Sequence, residues 1–188
     1  MRINAFSVRG FGLLEVLITL IVVAIGLLGI AALQVRAQQS ELEAYQRAQA
    51  LILLQDMVER IKANRRAAGC YAVSDGGIVL GADYEQTYSC IGFGDAASRA
   101  RAEADIAQWS ELLQGAAEVL DHNKVGAMHG ARGCIRAGPA VNEYSVAIAW
   151  QGVRATAVPT GADTCGSGLY GQDLRRVVEA RLTIVGLQ

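Results

Sequence analysis

Residues 16–33 form an uncharged, largely apolar run of 18 residues, and Glu15 stands directly in front of it. A run of that length is near the lower end of what crosses a bilayer as a helix. An acid at hydrocarbon depth costs on the order of 3 kcal/mol, so Glu15 is expected to have a partner and a role. Ahead of it, residues 1–10 make a short leader carrying Arg2 and Arg9. Basic residues on that flank predict a cytoplasmic N-terminus, with everything after Leu33 beyond the inner membrane.

The leader does not suit an ordinary secretory signal, in which a small-residue cleavage site follows the apolar core. Here the small residue, Gly10, precedes the core, so a cut there would leave the apolar helix on the mature chain. Gly10, Phe11, Glu15 and the apolar run, in that order and spacing, resemble the class III signal of type IV prepilins. The resemblance implies a membrane peptidase that cuts between Gly10 and Phe11 and methylates the new amine of Phe11. It also implies that Glu15 neutralises the Phe11 amine of a neighbouring subunit inside an apolar fibre core, where an opposite charge counts for far more than in water.

The 188 residues, 52% of them hydrophobic, supply one membrane helix and one modest exported domain. A net charge of -1 argues against a nucleic-acid-binding surface. All four cysteines, Cys70, Cys90, Cys134 and Cys165, follow the apolar run, and an even number in an exported domain reads as two disulfides. Three pairings are possible. The favoured one is Cys70–Cys90 with Cys134–Cys165, the two sequence-local links. A four-cysteine zinc site is disfavoured because no two cysteines are closely spaced.

Residues 34–66 hold no Pro or Gly and are rich in Ala, Gln, Glu, Leu and Arg, so the helix is expected to continue to about Arg66. A helix of that extent would be about 80 Å long. Leu51, Leu54, Val58 and Ile61 fall at three- and four-residue steps as one apolar stripe, which Leu42 and Tyr45 begin earlier. Glu43 with Arg47, and Glu59 with Lys62, are expected as helical ion pairs. Residues 70–94 read as an irregular loop. A second helix is expected from about Ser98 to Leu113, with Ile106, Trp109 and Leu113 on its apolar face. Arg99, Arg101, Glu103 and Asp105 form its solvated start, and Gly115 ends it. Residues 116–133 show weak patterning. Strands are expected at residues 144–150 and 178–184 from their alternation, with a shorter one at about 134–137 and a Gly-rich loop over 161–171. The expected fold is α+β: a long N-terminal helix, membrane half plus amphipathic half, under a small antiparallel sheet with one extra helix. Its parts are a leader (1–10), a transmembrane or fibre-core segment (11–34), the amphipathic half-helix (35–66) and a globular head (67–188).

No catalytic, cofactor or metal site emerges. His122 and His129 lack ligands at useful spacing. Asp121, His122 and Asn123 faintly resemble a calcium loop, but Val125 and Arg132 stand where that loop needs oxygen ligands. Trp109 and Trp150 read as core anchors. Gly26 and Gly29 within the apolar run suggest a close helix contact or local loosening.

The likeness extends along the helix: Gly26-Leu27-Leu28-Gly29, Leu33-Gln34, Tyr45, Arg47, Gln49-Ala50, Asp56-Met57, Arg60 and Ala63-Asn64-Arg65 resemble PilV-type minor pilins. Trp109, the strand at 144–150, Cys165-Gly166 and Tyr170-Gly171 are similar to that family's head. Gly12 replaces the more usual Thr, and Ala32 stands where many major pilins carry Pro, which fits a minor subunit. The resemblance implies a non-enzymatic subunit that helps initiate the type IV pilus and sits at its tip, serving twitching motility and adhesion. The implied partners are other minor pilins, the major pilin, the prepilin peptidase, the inner-membrane assembly platform and the membrane. A minor pseudopilin of a type II secretion system is the alternative.

Overall fold

A computed structural model describes residues 10, 12–73, 77–82, 88–121, 123–124, 126, 128–157, 163–171 and 173–185. Leader residues 1–9, Phe11, His122 and Val125 lie outside them. The chain divides into two compact units, Met1–Leu42 and Glu43–Gln188. Helix α1, Leu13–Ala63, supplies the described helix of the first unit and the opening element of the second. The remaining elements, all in the second unit, are a 3-10 helix at Arg65–Ala72, strand β1 at Ile78–Gly81, helix α2 at Ala96–Leu113, and strands β2 to β6. These strands are β2 (Val119–Leu120), β3 (Asn123–Lys124), β4 (Arg132–Ala137), β5 (Glu143–Gln151) and β6 (Arg175–Thr183).

Strands β1, β4, β5 and β6 make one antiparallel sheet in that order, while β2 and β3 form a separate two-residue ladder. The period-two pattern of β5 sends Tyr144, Val146, Ile148 and Trp150 to one face, where each is buried. That face shares its core with Ala50, Leu53, Leu54, Met57 and Ile61 of α1 and with Ala102, Ile106, Trp109 and Leu113 of α2. The opposite face is also covered. Ala147 and Ala149 pack there with Cys134 and Cys165 in a smaller cluster. The structure bonds Cys134 to Cys165 and Cys70 to Cys90, with Cα–Cα distances of 5.8 and 5.3 Å.

Trp109 joins the layers. Its side chain is fully buried and its Nε1–H donates to the Leu53 carbonyl of α1 at 2.9 Å. On its other side the ring packs against β4 at Gly133, where an added Cβ would meet ring carbons at 2.2 and 2.3 Å. Only a residue without a side chain lets the indole approach the strand this closely.

Several details depart from the sequence reading. Helix α1 ends at Ala63 rather than near Arg66, because the Asn64 side chain leaves the helical pattern to donate to Ser98 O at 2.8 Å and Tyr71 Oη at 3.3 Å. Of the expected stripe, Leu54 and Ile61 are buried and Val58 packs partly buried against the same core, joined by Ala50, Leu53 and Met57, whereas Leu51 is exposed with Leu42 and Tyr45. Residues 70–94 contain β1, which is short enough to escape any periodicity test. The weakly patterned stretch 116–133 contains β2, β3 and the start of β4, which begins at Arg132 rather than Cys134. Helix α2 starts at Ala96, capped reciprocally by Asp95 and Ser98. Asp105 is buried rather than solvated, on the same helical face as Ala102 and Trp109.

Gly133→Ala is expected to lower stability by about 1–3 kcal/mol, because the new methyl must displace Trp109 from strand, core and Leu53 together. Urea titration of the detergent-solubilised protein followed by tryptophan fluorescence measures this; an unchanged midpoint would show that the indole is free to shift.

Candidate assembly surface

In the N-terminal unit, Gly12 O accepts the N–H groups of Glu15 at 3.0 Å and Val16 at 3.3 Å, closing the first turn of α1. Glu15 lies in that turn with its side chain exposed, where a negative charge complements the partial positive charge of unpaired amides. Every described large apolar side chain from Leu13 to Val35 is exposed, Leu13 at 88% and Leu28 at 71%. α1 is long and apolar enough to cross a membrane, with an 18-residue stretch of mean hydropathy 3.0 and none of it buried. Thr19 is the polar exception, and it returns its hydroxyl to Val16 O at 2.8 Å, so the run carries no unpaired donor there. A Cβ on Gly26 or Gly29 would meet nothing within 4 Å. No described contact inside the chain therefore requires glycine at either position.

The second unit carries the polar chemistry. Arg60 of α1 donates to Asp56 at 2.8 Å and to Asp105 of α2 at 3.0 Å, while the Tyr71 hydroxyl donates to the other Asp105 oxygen at 2.6 Å. Burial and the bond to Asp105 push the Tyr71 hydroxyl well above its ordinary pKa, so it stays a donor. The cluster is satisfied and sits between elements, which marks it as architecture. Tyr170 is similar: its hydroxyl lies 2.7 Å from Gly130 O and 3.1 Å from Ala149 O, and burial pushes its pKa up to about 12.

Glu43 does not pair with Arg47. It receives Arg176 of β6 at 2.9 Å and the backbone N–H groups of Val153 and Arg154, both at 3.1 Å. Burial alone would raise the Glu43 pKa, but these hydrogen bonds and the Arg176 charge outweigh it and hold the carboxyl below its usual value of 4.5. Glu43 and Arg176, with Arg47, Trp150, Thr156 and Arg175, line a cleft of about 340 Å³. Glu59 and Lys62 do pair, at 3.0 Å. Among the described residues no group of His, Cys, Asp and Glu could hold a metal ion, and His129 is exposed.

Of the residues singled out in the sequence, Gly10 and Glu15 lie in the first unit and the two cysteine pairs in the second, while Phe11 falls outside the described residues. The pairing of Glu43 with Arg176 had no sequence signal, since 133 positions separate them.

A family model described as Tt1218-like, type IV pilin Tt1218, matches residues 32–107. The match begins within the apolar run, ends in α2, and supports a type IV pilin; it does not reach Gly10, Phe11 or Glu15. The long helix, the four-stranded antiparallel sheet and the extra helix are consistent with the type IV pilin fold. No significant match was found among curated proteins or among solved structures.

Because the folded-state pKa of Glu43 lies below its unfolded value, its contribution is present above about pH 4.5 and is lost as pH falls through the lower folded value. Glu43→Gln is expected to cost on the order of 1 kcal/mol at neutral pH and to shrink the acid-side loss of stability. Denaturation midpoints of both proteins from pH 3 to 7 check this, and parallel curves would remove Glu43 from the account.

Proposed function

We propose that this chain is a minor, PilV-like subunit of a type IV pilus that helps start the fibre and sits at its tip. The observation that carries the reading is the wholly exposed apolar stretch of α1 with a single acid in its first turn. A surface of that size is stable only in lipid or against other apolar helices, and a pilin uses both in turn. In this reading the chain is made with residues 1–10 as a cytoplasmic leader. The prepilin peptidase cuts between Gly10 and Phe11 and methylates Phe11. Residues 11–34 then anchor the subunit in the inner membrane, with the head in the periplasm until the assembly platform inserts it beside the major and other minor pilins. Its role is structural, in a fibre that serves twitching motility and adhesion, and needs no cofactor.

Glu15 is assigned a charge-matching task. While the subunit is in the membrane, its carboxylate sits at the front edge of the apolar stretch. In the fibre core, the amine of Phe11 on a neighbour neutralises it. Opposed charges in that low-dielectric setting fix the axial position of one helix against the next, because a shift by one turn leaves both groups unpaired and desolvated.

Mass spectrometry of protein purified from its host should find Phe11 as the first residue, with one added methyl group. An N-terminal Met1, or a cut beyond residue 33, would overturn the processing assignment.

Glu15→Ala should insert into the membrane at least as well as the parent, since the stretch becomes more apolar, yet be depleted from sheared fibres relative to its membrane level. Equal incorporation of the two proteins would remove Glu15 from assembly.

A further inference from the structure

Residues 163–171 lie against the sheet face that carries Ala147 and Ala149, where Cys165 and Tyr170 pack. Gly166, Gly168 and Gly171 leave this loop much backbone freedom to lose when it docks. Three side chains hold it in place without using sulfur. Arg136 of β4 donates through one guanidinium nitrogen to both carboxylate oxygens of Asp163, at 2.7 and 2.6 Å. Arg175 of β6 donates to the carbonyls of Asp163 and Cys165 at 2.6 and 2.8 Å. The Tyr170 hydroxyl donates to Gly130 O at 2.7 Å.

The ion pair runs beside the disulfide. Cys134 and Arg136 are two apart on β4, so both side chains rise from the same face. Asp163 and Cys165 are two apart in the loop, and the Cys165 N–H donates to Asp163 Oδ1 at 2.6 Å. Each charge therefore stands two residues from a cysteine, and pairing the charges brings the two sulfurs opposite one another. Cys70 and Cys90 belong to the core on the other face of the sheet. Bonding Cys165 to either of them would draw Asp163 away from Arg136. With the Asp163 side chain only 10% exposed and that of Arg136 26%, separating the two costs more than it would for an open surface pair.

We propose that the Arg136–Asp163 ion pair docks this loop before the bridge exists, and so directs Cys165 to Cys134 rather than to either cysteine of the other pair. In the docked head both sulfurs are buried, so an external disulfide oxidant reaches one of the two cysteines while the loop is still free. That thiolate attacks the oxidant, and one half of the oxidant leaves as a thiol. The ion pair then brings the second thiolate onto the mixed disulfide, and the other half leaves in the same way. The cysteine pair has lost two protons and two electrons, and the oxidant has gained them as two thiols. What the ion pair adds is a raised effective concentration of one sulfur at the other. That contribution does not depend on whether the chain joins a pilus.

The test follows oxidation of the reduced, full-length, detergent-solubilised protein by oxidised glutathione, with acid quenching, alkylation of the remaining thiols and peptide mapping against time. Arg136→Gln and Asp163→Asn should each slow closure of Cys134–Cys165 about five-fold, prolong its glutathione adduct and produce cross-links to Cys70 or Cys90. Arg136→Lys should keep most of the parent rate, because a single ammonium can replace the one guanidinium nitrogen in use. In a second measurement, Cys134→Ser combined with Cys165→Ser should still show slow hydrogen exchange at the amide of position 165. Adding Arg136→Gln should speed that exchange about five-fold. Closure at the parent rate in both Arg136→Gln and Asp163→Asn would overturn the proposal. Fast exchange at position 165 in the protein without Cys134 and Cys165 would also overturn it, by making docking depend on the bridge.

Discussion

Trp109 holds the head together because it touches three layers at once. Its indole N–H reaches the backbone of α1 at Leu53, its ring fills the space under β4 at Gly133, and its backbone belongs to α2. A large aromatic gains most of its stabilisation from area removed from water, and its one polar atom must find a partner when buried. Leu53 meets that need from a helix carbonyl, so the side chain brings no unpaired donor into the core. The positions of α1 and α2 on the sheet then follow from one side chain and the glycine that admits it.

Around that anchor the head uses charge sparingly. Asp105 is a carboxylate at 8% exposure, tolerable only because Arg60 and Tyr71 supply donors to both its oxygens. The same cluster explains the end of α1. Asn64 turns out of the helix to bond Tyr71 and Ser98, and the chain continues as a 3-10 helix carrying Cys70 toward its partner Cys90. The second disulfide works on the other face, where Cys134 and Cys165 cover the small residues Ala147 and Ala149 that a one-sided sheet would leave wet. Two thin cores on opposite faces, each closed by a covalent link, suit a domain with limited apolar material.

The division of the chain into two units matches a division of forces. The first unit has no buried apolar side chain among its described residues, and its helix is long and apolar enough to cross a membrane. The second unit is held by its own core and linked through Glu43 to β6 and the turn after β5. β6 thereby secures α1 as well as closing the sheet beside β5.

How much the residues alone could say follows from the range of each interaction. The apolar run, the acid before it, the second helix and the alternation of β5 and β6 were legible, because helix and strand periods express themselves over neighbouring residues. The local cysteine pairs were a reasoned choice for the same reason. What escaped was decided by contacts distant in sequence. Leu54 and Ile61 of the expected line are buried, but Leu51 gave way to Ala50 and Leu53, since an apolar residue satisfies periodicity on either side of a stripe and only the core beneath selects one. Glu43 left its helical neighbour Arg47 for Arg176, because two backbone amides and a guanidinium outcompete one exposed side chain. Asp105 read as a solvated acid, and it is buried because Arg60 of α1 and Tyr71 of the 3-10 helix both arrive there. Strand β1 has four residues and exists only because β4 lies beside it. The sequence thus determined the long helix, the second helix and the two main strands, while the tertiary structure decided the short strands and the polar partners, which depend on neighbours that no local pattern records.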